Sequence, residues 1–309
     1  MGNGTGMEMD RVRSHVRMQR YRMYAAGYAM IAPFFVLFLL FNVLPILWGF
    51  ILSFTHYNII QPMRFAGLTN YIELLTNDDL FMVAFRNTFT FAMISGPIGF
   101  MSSFFFAWII NQLRFRNAFS LAFYAPSIAS GTAIGVVWLV MFSPDRLGII
   151  NNVLLRLGVI NDPIRWTIDP VYILPLIILI SIWMSLGAGF LTNLAGLNNI
   201  PYHLYEAGRI DGIRNRFQEL VFITLPQMKP YLLFSAIMST VSALNVGAMA
   251  AQVAGFPSPD YAAHTIVLHM QDHGFLRFEL GYASAIAFIL FLFNFSLGRI
   301  FRKMLSSND

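Results

Sequence analysis

Six residues between Ser235 and Gln252 share a spacing that could line a wet path through an apolar segment. Ser235, Met238, Ser242, Asn245, Met249 and Gln252 recur at intervals of 3, 4, 3, 4 and 3. That places hydroxyl, amide and thioether groups on one helical stripe, with Leu232, Leu233, Ile237 and Val241 largely elsewhere. Such a stripe can hydrogen-bond a hydroxyl-rich solute, with Asn245 its strongest candidate. Small polar residues also bridge neighbouring helices inside membranes, and both readings stand. Trp183 and Trp138 offer apolar faces on which a ring-shaped solute stacks, or they serve as packing or interfacial anchors.

A second constellation lies upstream, from Gly196 to Gly212. Asn198 or Asn199 can cap a helix start, and Pro201 suits its first turn, where no amide donor is needed. Leu204, Tyr205 and Ala207 through Ile210 sustain about two and a half turns. Gly212 then supplies a left-handed stop. Glu206 thus stands beside two very small residues, Ala207 and Gly208. Small side chains let another backbone approach closely, and an exposed carboxylate invites an Arg or Lys partner. An ordinary interfacial connector is the competing reading. A second short helix, 215–222, is expected to lead into Thr224, Leu225 and Pro226.

Other chemistry is excluded or disfavoured. A phosphate-binding loop needs a Gly-Lys pair, but Lys229 follows Met228 and Lys303 follows Arg302. No Ser-His-Asp set or carboxylate pair stands at membrane depth, where charges are expensive. The chain is therefore not expected to be an enzyme, and no catalytic residue is assigned. With no cysteine, disulfides and thiolate sites are excluded. His264, His269 and His273 lie next to Asp272, and the last two are spaced i, i+4. No further ligand has obvious metal-binding spacing, so a solvated or partner-facing loop is expected there, with no metal.

The elements that must position these groups follow from composition. Hydrophobic residues make up 57% of the 309, and charged residues only 11%, against about 25% in ordinary soluble domains. Six runs free of Asp, Glu, Lys and Arg reach nineteen residues or more: 23–63, 87–113, 117–144, 170–205, 230–259 and 280–298. About twenty apolar residues cross a bilayer core, which predicts an all-α membrane protein of six transmembrane helices. The expected spans are 26–52, 87–111, 118–142, 171–195, 231–255 and 278–299. Continuous rather than alternating apolarity excludes barrel strands. In the first run, Pro33, Asn42 and Pro45 interrupt the pattern, and a kink or an extension over 54–60 would use its surplus length. No small-residue cleavage site follows that run, which disfavours a cleaved signal peptide.

Fourteen of the twenty Lys and Arg residues fall in segments 1–25, 112–117, 196–230 and 299–309. The excess of positive charge on the cytoplasmic side predicts both termini inside. Five of these, Arg11, Arg13, Arg17, Arg20 and Arg22, form an N-terminal basic arm. It is better suited to anionic lipid than to nucleic acid. The expected organisation is an arm over 1–25, a six-helix domain over 26–303 with the long cytoplasmic loop 196–230, and a tail over 304–309. Outside segments 55–85 and 143–169 have room for short interfacial helices.

Glu206-Ala207-Gly208, Asp211-Gly212 and Ile223-Thr224-Leu225-Pro226 resemble the EAA loop of ABC-importer permeases, a motif written EAA, three residues, Gly, nine residues, I-x-L-P. Two departures stand out: Gly208 replaces the third small residue, and ten residues separate Gly212 from Ile223. Flanking matches run through Gly67 to Tyr71, Asp78-Asp79, Asn87-Thr88, Ala125-Pro126 to Trp138, Gly148 to Asn151, Leu157-Gly158, Gly196-Leu197 and Gly281 to Ala285. They resemble the maltose-type carbohydrate branch, over residues 28–303. The resemblance implies a type I ABC-importer permease fold in a bacterial or archaeal inner or plasma membrane. It implies a second permease subunit, identical or homologous, two ATPase subunits that bind the ATP and Mg2+, and an extracytoplasmic solute-binding protein that delivers a carbohydrate. Glu206 would make the charged contact with the ATPase and Gly212 the close approach. The chain itself would hold no cofactor. Import of glycerol phosphate or another polyol derivative is an alternative, weakened because the spans contain no central Arg or Lys. A secondary transporter is another, weakened by the lack of a repeat or membrane-depth acids.

Overall fold

The computed structural model describes residues 23–24, 27–128 and 131–306. Arg11 through Arg22 of the basic arm and residues 307–309 of the tail lie outside the described residues. Helix α1 is Gly27–Leu52, with a π turn at Leu39–Val43 in which the Leu44 N–H reaches the Leu39 carbonyl. Pro45 follows at once. Its missing N–H would orphan a carbonyl one turn back, and the wider π turn redistributes the donors. The surplus length is absorbed beyond α1 by a small antiparallel hairpin, β1 (Thr55–His56) against β2 (Arg64–Phe65). Helix α2 (Thr69–Thr76) follows. Asn70, buried on α2, donates to the Ser53 carbonyl at 2.9 Å and the Thr55 carbonyl at 3.0 Å, which ties α2 to the end of α1.

Helix α3 (Asp79–Asn111) is the longest of the long apolar helices. Asp78 caps it, accepting from the Phe81 N–H at 2.8 Å. It begins at Asp79 rather than at residue 87, because the charges of Asp79 and Arg86 end the apolar run without ending the helix. At 1.5 Å per residue its 33 residues span about 50 Å, well beyond a hydrocarbon core of roughly 30 Å. Residues expected as a third span form α4 (Arg116–Ile128) and α5 (Gly131–Met141), on either side of the undescribed pair 129–130. Helix α6 (Ile149–Arg156) sits in the following loop. Next come α7 (Pro170–Ser185) and α8 (Ala188–Asn198), which run on as one apolar stretch. Asp169 caps α7 through the Val171 N–H.

The short α9 (Tyr202–Ile210) precedes α10 (Arg216–Leu244). The expected span over 231–255 is therefore corrected at both ends. It begins earlier, and it stops at Leu244, with Asn245 out of helical geometry (φ −99°, ψ 23°). A separate α11 (Ala248–Ala254) continues the chain. After it come α12 (Ile266–Gln271), a π turn at Asp272–Leu276, and α13 (Leu280–Ser306). Among the described residues, five helical stretches are long and apolar enough to cross a membrane: α1, α3, α7 with α8, α10 and α13.

Helix α3 is the hub, packed mainly against α10, α8 and α7. Phe91, Ile177 and Leu244 anchor the central core, Phe81 and Ile286 one end, and Phe190 and Met228 the other. Helix α1 is almost wholly exposed, with apolar residues such as Met30 and Phe41 turned outward and its end touching α13 through Phe50 and Phe288.

Candidate functional site

Between α3, α7, α8 and α10 lies a cavity of about 550 Å3. Ser95 and Ser103 line it from α3, Ser181 and Ser185 from α7, and Thr192 from α8. Among the described residues, no Asp, Glu, Lys or Arg borders it. Several hydroxyls donate to carbonyls of their own helices, Ser95 to Phe91 at 2.8 Å and Ser185 to Ile182 at 2.6 Å. That satisfies their protons at membrane depth and leaves oxygen lone pairs to accept from a guest.

Of the stripe expected along the fifth span, Ser235, Met238, Ser242, Asn245 and Met249 border this cavity. Gln252 does not. The break at Asn245 moves it onto α11, where it fills the space beside Gly135: a Cβ there would sit 2.5 Å from Gln252 Oε1. The expectation assumed one continuous helix; despite the break, five of its six residues border the cavity, Met249 from α11. Trp183 also lies outside the lining and meets Trp138 edge-on at 5.1 Å. Buried Asn193 donates to Ser103 Oγ at 3.1 Å and reaches Ser235 Oγ at 3.5 Å, linking α3, α8 and α10. Ser239 donates to the Gly96 carbonyl at 2.9 Å. Ser235 therefore bridges helices as well as bordering the space. The α3 contribution was missed, although Ser95, Gly99 and Ser103 recur every fourth residue, a pattern of close helix contact.

At the other end of α3 the 196–230 segment builds a short amphipathic platform. Pro201 is itself the N-cap residue of α9, and neither Asn198 nor Asn199 caps it; Asn199 ends α8 and donates to Tyr231 Oη at 2.6 Å. Gly212 has φ +94°. The Ile213 N–H reaches the Gly208 carbonyl at 2.9 Å and the Gly212 N–H the Arg209 carbonyl at 3.3 Å, the bond pair of a Schellman stop. Gly208 is buried because α9 rests on α10 there: a Cβ would lie 2.6 Å from Ile223 Cδ1 and 3.1 Å from Ile213 Cδ1. Gly in place of Ala at the third small position thus lets the tip of Ile223 lie directly on α9, where a methyl group would push that side chain aside. Glu206, Ala207, Asp211 and Gly212 are exposed, beside exposed Tyr202 and Ile210.

The expected second short helix is instead the first stretch of α10. Asn215 caps it through the Gln218 N–H at 2.8 Å. A π turn at Leu220–Thr224 comes just before Pro226, the arrangement already seen before Pro45. It takes up one residue more than α-helical winding, and the extra residue between Gly212 and Ile223 falls there. Leu225 and Pro226 continue directly into α10. Sequence reasoning missed Glu219, which is buried and pairs with Arg216 at 2.7 Å and Arg209 at 3.7 Å. Tyr205 Oη and Thr224 Oγ1 complete the α9–α10 contact at 3.1 Å.

A third group overturns the expectation of a solvated histidine loop. His264, His269 and His273 are buried at 2%, 1% and 6% exposure. His269 Nε2 lies 2.8 Å from Asp78 Oδ2, His273 Nδ1 2.6 Å from Glu279 Oε2, and His264 Nε2 3.2 Å from His269 Nδ1. Burial pushes His269 below the ordinary histidine value and His264 down to about 4. Burial disfavours ionised Asp78, yet hydrogen bonds from Tyr282 and the Phe81 N–H, with His269, outweigh it and hold the carboxyl below its usual value.

Long apolar helices around an uncharged, hydroxyl-bearing cavity, with an exposed amphipathic platform at one end, define an integral membrane protein built for solute passage. No family model matches the chain. It is 35% identical over 268 residues to a probable ABC transporter permease protein of Bacillus subtilis, YesP, covering 86% of this chain and 85% of that one. It is 31% identical to the lactose transport system permease protein LacF of Rhizobium radiobacter (86% and 89% covered). It is 30% identical to the trehalose/maltose permease protein MalF of Thermococcus litoralis (92% and 95%). A crystal structure of a bacterial ABC transporter that imports the polysaccharide alginate shares the fold, with a TM-score of 0.81 at 23% identity over 94% of this chain and 98% of that one. The chain belongs to the sugar ABC-transporter permease family.

Proposed function

We propose that this chain is the membrane-spanning subunit of an ATP-driven carbohydrate importer and forms half of its translocation pathway. The uncharged cavity lined by serine and threonine carries this reading: it offers acceptors to a neutral polyhydroxyl solute and no cation to a phosphate. The lactose and trehalose/maltose names of its relatives agree. On this reading the chain has six spans, the sixth formed by 116–141, with both termini cytoplasmic. Segments 1–25 and 304–309 are the arm and tail of one domain over 26–303, in a bacterial or archaeal inner or plasma membrane. A second permease subunit completes the path, an extracytoplasmic binding protein supplies the sugar, and two separate ATPase subunits bind ATP and Mg2+.

Helix α9 is the docking element. Glu206 is the charged contact and Gly212 the close approach, with exposed Ala207 beside them; Gly208 and Ile223 seat α9 on α10, and Asp211, Leu225 and Pro226 belong to the same coupling element. Asn245, Ser242, Met238 and Met249 face the solute; Trp183 and Gln252 support the walls from behind. The test is sugar-stimulated ATPase activity and transport in the assembled complex. Glu206→Lys should remove both while the chain still inserts, and the isolated subunit should hydrolyse no ATP. Full activity in Glu206→Lys would refute the docking role. Labelling from outside at a cysteine placed at Ser307 or Gly4 would refute the orientation.

A further inference from the structure

The transport reading makes no use of the buried histidines. Asp78, His269 and His273 each offer one ligand atom, and those three atoms all lie within 4.8 Å of one another. They come from distant parts of the chain: Asp78 precedes α3, His269 is on α12, and His273 is in the π turn that follows. Two imidazole nitrogens and a carboxylate oxygen suit a borderline divalent cation such as Zn2+, whereas Mg2+ and Ca2+ prefer all-oxygen shells. Zn–N and Zn–O bonds of roughly 2.0–2.2 Å in a tetrahedron place ligand atoms about 3.4 Å apart. Shifts of an ångström or so bring these three atoms to that spacing.

Each of the three already has an outer partner that would orient it. Glu279 Oε2 is 2.6 Å from His273 Nδ1, Tyr282 donates to Asp78 Oδ2 at 2.7 Å, and His264 Nε2 faces His269 Nδ1 at 3.2 Å. Ligating imidazoles are held in this way through their second nitrogen. His264 Nδ1 is buried without a hydrogen-bond partner. His264 and His269 can therefore exchange donor and acceptor roles without losing a bond, which frees His269 Nε2 from its proton when a cation takes its place. The group is also reachable: Asp78, His269 and His273 border a cavity of about 590 Å3 whose other walls include Glu73, Asn77 and Arg277.

We propose that Asp78, His269 and His273 form a binding site for a Zn2+-type divalent cation, its fourth position open to this cavity. The ion clamps the start of α3 to the segment that leads into α13. The site lies at the end of α3 opposite α9 and does not depend on the transport reading.

The test uses the full-length chain purified in detergent, stripped with chelator and titrated with Co2+ and then Zn2+. The absence of cysteine leaves no thiolate to compete. One equivalent of Zn2+ per chain should survive desalting, and it should displace a Co2+ complex with the visible bands of tetrahedral geometry. His269→Gln/His273→Gln should lose that equivalent, and His203→Gln, an exposed residue of α9, should keep it. Asp78→Asn, which preserves the helix cap, should weaken binding by roughly ten-fold or more. Failure to retain the ion, or equal retention by the double variant, overturns the proposal. Should the double variant aggregate, unchanged affinity in monodisperse Asp78→Asn overturns it.

Discussion

At the Asp78 end of the bundle, buried amide side chains each hold several backbone groups at once. Asn87 donates to the Tyr261 and His264 carbonyls, both at 3.0 Å. Asn151 donates to the Ser143, Asp145 and Ile164 carbonyls and accepts from the Ile164 N–H and Trp166 Nε1. At the α9 end the contacts are pairwise: Gly208 on Ile223, Tyr205 on Thr224, and Glu219 between two arginines, with one face of the platform left open. A buried amide satisfied on every side fixes one geometry, because any displacement strands a polar group in a low-dielectric interior. An apolar seat beside an exposed carboxylate tolerates sliding. The first end is built to stay put, and the second has the open face that the proposed docking role requires.

Four experiments sharpen or break that contrast. The largest effect is expected for Glu206→Lys, with transport at background and thermal stability of the subunit unchanged. A stability loss would mean the platform is structural after all. Asn151→Ala should lower stability by about 3 kcal/mol, since it strands several buried groups at 1–3 kcal/mol each; an unshifted denaturation midpoint would contradict the rigid-end view. Gly208→Val forces atoms against Ile223 and should cost about 1–3 kcal/mol, reducing transport. Combining it with Ile223→Ala should restore much of the loss, and no rescue would place the fault elsewhere. Smallest of all, Asn245→Leu should change the apparent affinity for sugar several-fold with assembly and basal ATPase intact. Identical transport of every accepted sugar would return Asn245 to packing.

What was legible in the sequence follows the same divide. Apolar runs announce themselves because lipid selects composition directly, so five of the six expected spans coincide with long apolar helices, while the run over 118–142 forms the shorter α4 and α5. The α9 platform was legible because its stop is local: Pro201 opens it and Gly212, with its left-handed φ, closes it. The π turn was hidden, although Pro226 and the extra residue before Ile223 both pointed to it. The break at Asn245 falls within an unbroken apolar run, where hydropathy carries no signal. The histidine group was misread because its partners are remote. Asp78 lies 191 residues from His269, and no spacing rule spans that distance.

The end of α10 at Asn245 has a mechanical consequence. From Ile223, against which α9 rests, to Asn245 at the cavity wall is a helical lever about 33 Å long at 1.5 Å per residue. Tilting that lever by about 5° at its base carries its tip about 3 Å, close to the width of a water molecule, while its internal hydrogen bonds stay intact. Because the chain turns off the helical path at the tip, α11 need not follow the swing. On the proposed docking role, a small rocking of the platform would be amplified at the cavity wall and stop there, like a crank acting on a pinned joint.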